Sequence, residues 1–396
     1  MTELYLDNNA TTHLLPAVQD AITQAMAANL GNPSSPHFAG DKARRAIEQS
    51  REKVASLVHA EPSQIVFTSG ATEANNAVIQ GLMAQSASTA APHFVACVTE
   101  HSSILGPLEA AAQRGAQVTL FPVDHAGGLP LATLSDVIAT RPQLVTIQMA
   151  NSETGRIHPV KEIAALCRSK GVLFHTDASQ AVGKMAVDVI DLGVDLLTFT
   201  AHKIHGPSGS GALYARIPSQ TPVFMHGGQQ ENGYRGGTQN LLGILGFGVA
   251  AAERSSRRAE VVAAMIAHRD RFEATVRTEL GDPSINSVGG ERLPNTSNIC
   301  FHGIDGQALV ARLEQRGLYC SQTTACTSRR PAPSYVLRAM GLSEADAYSS
   351  VRFSFGELNL AGDADAAAHI VCSEVFQLRR THERLISMAT GREINV

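Results

Sequence analysis

The chain has 396 residues, 44% of them hydrophobic, with 32 basic against 36 acidic side chains. That length suits two domains with a substantial core, and the near-neutral balance argues against a generic nucleic-acid surface. The start, Met1-Thr2-Glu3-Leu4, lacks the basic region and apolar run of an export signal, and no stretch is apolar enough to span a bilayer. The expected address is therefore the cytoplasm, with no membrane partner. There the six cysteines (97, 167, 300, 320, 326 and 372), which form no metal-spaced pair, are expected as reduced and mostly buried thiols.

Residues 1–15 read as an extended arm leading into a helix over 16–29. Gln64-Ile65-Val66-Phe67 reads as a strand. It is followed by Thr68-Ser69-Gly70-Ala71-Thr72-Glu73, a small-residue turn into a helix through Ile79. Free N–H groups at such a helix start favour a phosphate, and Thr72 adds a hydroxyl, although an ordinary N-cap has the same composition. A strand over 94–98 delivers His101, a group able to cover a flat ring and shuttle protons; singly it reads as a satisfied polar residue. Another buried strand covers 144–149. Gly171-Val172-Leu173 then leads to Asp177, which alone would be a helix cap. The apolar run Asp195–Phe199 carries Lys203 to a Gly/Pro turn.

A lysine at a strand end is ordinarily a surface residue, because burying an unpaired ammonium is costly. Its amine also suits a Schiff base with an aldehyde cofactor. Pyridoxal phosphate needs such a lysine, a carboxylate for its ring nitrogen and a phosphate site. Lys203, Asp177 and the Thr68–Glu73 turn meet those needs, and His101 can cover the ring. All four motifs follow strands of an alternating βα chain, which places them along the carboxyl edge of one parallel sheet.

The alternation runs to about residue 250, and a helical stretch over 249–280 bridges into a second unit. That unit has a strand at 298–301, a helix at 307–316 and a helical region over 363–385. The fold expected is α/β: a large doubly wound, mainly parallel sheet domain over 16–250, and a smaller α+β domain from 1–15 and 251–396. Cys326 lies in a polar run ending at Pro331 and reads as a loop thiol, which is unusual for a free cysteine. Arg352, in Ser350-Val351-Arg352-Phe353-Ser354, would by itself be a surface arginine.

Taken together, Leu6-Asp7-Asn8-Asn9-Ala10-Thr11-Thr12, Gly31-Asn32-Pro33-Ser34-Ser35, the Thr68–Asn76 block, Glu100-His101, Asp177-Ala178-Ser179-Gln180, Ala201-His202-Lys203 and Ala325-Cys326-Thr327-Ser328 resemble a cysteine desulfurase. The resemblance is to the NifS/IscS-like group of fold-type I pyridoxal-phosphate enzymes and runs from residue 4 to about 380. It implies conversion of L-cysteine to L-alanine, with a persulfide on Cys326 and sulfur passed to an acceptor protein. Iron–sulfur assembly, tRNA thiolation and DNA phosphorothioation are the acceptor routes it implies. Lys203, Cys326 and His101 are the implied catalytic residues. Ala71, Thr72, His101, Asn151, Ser152, Asp177, Gln180, Thr200, His202, Lys203 and Thr238 are implied for the cofactor, and Arg352 and Asn32 for the substrate. The family forms homodimers, in which Thr238 of Gly236-Gly237-Thr238 reaches the partner's phosphate.

The chain also departs from the family. Ser152 stands where a second Asn contacts the ring hydroxyl, Thr323-Thr324 where Gly-Ser is common, and Ser208 where a lysine often follows Gly-Pro. The C-terminal end does not resemble the tail that docks an iron–sulfur scaffold, which favours a specialised acceptor. The competing enzymatic reading is a selenocysteine or cysteine lyase releasing free product. A cofactor-binding assembly platform is the non-enzymatic one. An ordinary aminotransferase has no use for Cys326, and no glycine fingerprint for a nicotinamide enzyme follows the first strand.

Overall fold

The computed structural model describes residues 3–85, 91–223, 225–281, 283–322 and 332–390, the last six of these by backbone alone. The arm contributes a two-residue strand, β1 (Leu4–Tyr5), and is followed by helices α1 (Pro16–Ala27) and α2 (Phe38–Leu57). Pro16 occupies the first turn of α1, where its missing N–H costs nothing. Next come β2 (Ile65–Thr68), α3 (Ala71–Gln85), β3 (His93–Cys97), α4 (Ser102–Gln113), β4 (Gln117–Phe121) and α5 (Leu131–Ala139). After them run β5 (Leu144–Thr146), α6 (Val160–Lys170), β6 (Leu173–Asp177), the short α7 (Val189–Leu192), β7 (Leu196–Thr200) and β8 (Gly211–Ala215).

β2 to β8 form one seven-stranded sheet in the order β2-β8-β7-β6-β5-β3-β4. Its middle strands run parallel, and only β8 runs against its neighbours. Every residue of β7 and β8 is buried, as expected of strands covered on both faces. Alternation along β3 splits its side chains between two cores: Val95 and Cys97 pack with α2 and α6, and Phe94 and Ala96 with α3 and α4.

α8 (Leu241–Leu280) spans 40 residues, about 60 Å, and packs on α1, α2 and the later α12. It passes through residue 250 unbroken, so the boundary expected there falls inside one helix. Beyond it lie β9 (Ser284–Ile285), β10 (Thr296–Cys300), α9 (Gly306–Gln315), β11 (Leu318–Tyr319), α10 (Tyr335–Ala339), α11 (Glu344–Tyr348), β12 (Ser350–Ser354) and α12 (Asp363–Thr390). β12-β10-β9 form an antiparallel sheet, and β11 pairs in parallel with β1, which joins the arm to this second unit. Among the described residues, no helix is long and apolar enough to cross a membrane.

The second core is separate and aromatic. Phe272 of α8 packs against Phe353 and Phe355 with ring centroids 4.8 and 5.7 Å apart. Phe272→Ala is expected to cost about 3–5 kcal/mol by emptying this fully buried site. A lowered thermal midpoint with an unchanged cofactor absorbance would show the damage confined to this core.

Candidate active site

The connections leaving β2, β3, β6 and β7 lie at one carboxyl edge of the large sheet, where open α/β sheets bind ligands. At β2, the turn Thr68-Ser69-Gly70 feeds α3. Ala74 N bonds Gly70 O, so the N–H groups of Ala71, Thr72 and Glu73 precede the first intrahelical bond. A Cβ on Gly70 would meet nothing within 4 Å, so the turn opens onto free space. Its back rests on β8, where a Cβ on Gly211 would lie 2.6 Å from Gly70 Cα. Glu73 braces the turn by accepting from Ser69 N at 2.9 Å and pairing with Arg235. Burial alone would raise its carboxyl, but these two partners hold it below the usual range.

At the end of β6, Asp177 Oδ1 accepts from Ser179 N at 2.9 Å and Oδ2 from Asn75 Nδ2 at 2.8 Å. His101 caps α4, with Nδ1 accepting from Ser103 N at 3.1 Å, and its ring remains exposed. Desolvation sets its pKa below the ordinary histidine value, with Asp177 opposing and Lys203 assisting. Lys203 Nζ donates to the backbone carbonyls of Asn9 and Ala10 at 2.5 and 2.6 Å. Burial, and then Arg352, lower this amine to about 8, against the opposing pull of Asp177 and Asp7. His202, with Nδ1 3.2 Å from Thr11 Oγ1, is pushed down to about 4 by burial and by Lys203 and Lys184.

Arg352 arrives from the second sheet. Nη2 pairs with Asp7 at 2.7 Å, Nη1 donates to Ser152 O at 3.1 Å, and the buried Nε has no hydrogen-bond partner. Thus Lys203, Asp177, His101, His202, Ser152 and Arg352 come together, with Ala71 and the exposed Thr72 at the phosphate-type turn.

Other expected residues serve the frame. Asn151 Oδ1 accepts from Glu153 N, Thr154 N and Thr154 Oγ1, while Nδ2 donates to Thr99 O, so this side chain is committed to its own turn. Gln180 bridges Asn9 O and Lys184 Nζ. The Thr200 hydroxyl donates to Ser210 O, which spends its proton inside the β7–β8 connection. Asn32 accepts from Ser34 N, and none of its bonds among the described residues reaches Lys203 or Arg352. Thr238 is exposed on the loop before α8. Cys326 lies outside the described residues.

Two residues central to this geometry carry no catalytic signature in sequence. Asn9 accepts on its backbone carbonyl from Lys203 and Gln180, and on Oδ1 from Lys184 and Asn295. Its Nδ2 donates to Ser152 O and Thr296 Oγ1, and its N–H to Ser354 Oγ. Lys184 is a second lysine, 2% exposed, which burial, Lys203, Arg352 and Arg254 push well below the ordinary lysine range. Its four-residue spacing from Gln180 was the available signal.

The sheet edge, its strand-end lysine and the open helix start suit a pyridoxal-phosphate protein, a class to which comparison with known proteins also points. The aminotransferase class-V family model matches residues 4–366. A cysteine desulfurase of Trichormus azollae is 38% identical over 380 residues, covering 96% of this chain and 94% of the relative. A solved NifS-like protein superposes with TM-score 0.88 at 31% identity, over 95% of this chain and all (100%) of that one. A structure described as SspA in complex with cysteine gives TM-score 0.79 at 32% identity, over 91% and 100%. The chain belongs to the class-V aminotransferase family, among the cysteine desulfurases.

That family's cofactor, pyridoxal phosphate, fits the residues present. The open helix start backed by Gly211, the half-buried amine and the paired carboxyl of Asp177 supply an anion site, a nucleophile and a ring-nitrogen partner. Gly211→Ala is expected to displace Gly70 and lower cofactor retention on dialysis at least tenfold, with the fold intact by circular dichroism. A pH test addresses Lys203. Because its amine titrates near 8, cofactor uptake by cofactor-free protein should climb about tenfold per pH unit up to about 8 and then level. A rate still climbing at pH 10 would mean an ordinary lysine.

Proposed function

We propose that this chain is a pyridoxal-phosphate-dependent L-cysteine desulfurase, in which Cys326 takes the sulfur of L-cysteine. The observation that carries the reading is the placing of Lys203 within the fields of Asp177 and Arg352 at one sheet edge. Bound pyridoxal phosphate supplies an aldehyde for the substrate amine and a ring that accepts electrons from the α-carbon. The Ala71–Glu73 N–H groups and the Thr72 hydroxyl would hold its phosphate, and Asp177 its ring nitrogen. Ser152, at the family's ring-hydroxyl position, has its carbonyl tied to Asn9 and Arg352.

Arg352 orients the substrate carboxylate. Its Nε is free to donate, and its Asp7 partner gives way to an incoming anion of the same chemistry. With the cofactor in place, Lys203 Nζ would take the α-proton, a task suited to an amine titrating near 8. His101, exposed beside Lys203, holds a proton for the thiol step. Overall, the Cys326 thiol and L-cysteine become the Cys326 persulfide and L-alanine, which balances atoms and electrons without another reductant.

The acceptor of the persulfide is a protein. We further propose that two copies of the chain complete the site, since the exposed Thr238 lies in the Gly236-Gly237-Thr238 loop that in the resembled family reaches the partner's phosphate. Relatives named as cysteine desulfurases favour this reading over a lyase releasing free product.

Cys326→Ser is expected to abolish persulfide labelling from radiolabelled L-cysteine and to lower alanine formation at least a hundredfold, while the yellow cofactor band persists. Lys203→Ala should lose both the band and the activity. Full sulfur transfer by Cys326→Ser would overturn the assignment and leave Cys320, half-buried beside Asp7 and Arg352, whose thiol burial pushes far up.

A further inference from the structure

Three potential metal ligands converge at the end of the second sheet away from Asn9. Cys300 ends β10, His302 follows it, and Asp346 lies on α11. We propose that Cys300, His302 and Asp346 form a binding site for a divalent zinc-like cation, with a fourth position left for water. The ligand atoms already stand at the separations of one face of a tetrahedron. Cys300 Sγ is 3.5 Å from His302 Nδ1 and 3.7 Å from Asp346 Oδ1, and the latter two are 3.0 Å apart. Bonds of about 2.3 Å to sulfur and about 2.0–2.2 Å to nitrogen and oxygen require edges of about 3.4–3.6 Å. A shift of a few tenths of an ångström closes the difference.

Two of the three ligands, His302 and Asp346, are also held from behind, which is how metal ligands are commonly oriented. Ser284 Oγ lies 2.8 Å from His302 Nε2 and fixes the ring with Nδ1 inward. Ser343 Oγ donates to Asp346 Oδ2 at 2.7 Å, leaving Oδ1 facing the sulfur. Ser350 Oγ donates to the Asp346 carbonyl at 2.8 Å. Cys300 is buried while His302 is exposed, so the site has a dry floor and an open access route. Sulfur and imidazole together select zinc over magnesium or calcium. Without a cation the thiol points at the Asp346 carbonyl, and binding exchanges its proton for the metal. The sequence spacing Cys-x-His hides the site, because its third ligand is 44 residues further on.

Cobalt(II), titrated into the holoprotein without cysteine or other thiols, tests the proposal. One equivalent per chain should give the visible bands of tetrahedral cobalt and a thiolate-to-cobalt band in the difference spectrum, both bleached by equimolar zinc. Cys300→Ser should remove the thiolate band. His302→Ala, a change at an exposed side chain, should weaken cobalt at least tenfold, and Asp346→Asn provides a third variant should Cys300→Ser fold poorly. Alanine formation measured without added metal should be unchanged in His302→Ala. Absence of the cobalt bands, their survival in both Cys300→Ser and His302→Ala, or loss of the thiolate band in Cys326→Ser would each overturn the site.

Discussion

One asparagine in the N-terminal arm holds the two units of this protein in register. Asn9 is buried, and its hydrogen bonds reach Ser152, Gln180, Lys184 and Lys203 on one side and Asn295, Thr296 and Ser354 on the other. Buried polar groups are costly when unpaired, so the arm cannot leave without orphaning donors on both units at once. Neither near-isostere fits. Aspartate lacks the Nδ2 donor, and leucine would strip Lys184 and Asn295 of an acceptor.

The second constraint is a concentration of positive charge with few counter-ions. Lys203, Lys184, Arg352 and Arg254 lie close together, and burial with these neighbours lowers the proton affinity of Lys184 and Lys203. Lys184 then donates hydrogen bonds as a structural amine, whereas Lys203 is left close to its titration point. The remaining positive field suits a ligand that carries a phosphate and a carboxylate. Arg352 is the hinge of this balance: it is paired with Asp7, yet keeps one buried N–H without a partner.

The sequence made the frame and the edge residues legible because both leave local signals. Apolar runs ending in polar turns located β2, β3 and β7 to within a residue, whereas the run Gly171–Leu173 marked only the start of β6, whose later residues His175 and Thr176 are polar and buried. The pairing that ties units together is long-range and leaves no local pattern. Asn9 meets Thr296 across 287 residues, and Asn75 meets Asp177 across 102. At Asn151 the sequence shows the residue type and not its surroundings: three nearby donors within its own turn meet its oxygen.

Chemistry on the α-carbon requires a rigid edge, while passing one sulfur onward requires a thiol outside that edge. The fold separates these demands. Asp177 ends a strand of the large sheet and Lys203 stands in the turn just past the end of β7, whereas Cys326 lies in the connection from β11 to α10, outside the described residues. Both ends of that connection are nevertheless tied to the frame. Gln322 donates to Tyr348 O at 2.7 Å, and Ser334, which caps α10, donates to Glu153 Oε2 at 2.5 Å. Glu153 in turn follows Ser152, whose carbonyl is shared by Asn9 and Arg352. Holding Gln322 and Ser334 against the frame reduces the conformational entropy lost in closing the chain between them. The residues that flank the Cys326 stretch are thus joined, through Glu153 and Ser152, to Arg352 and Asn9.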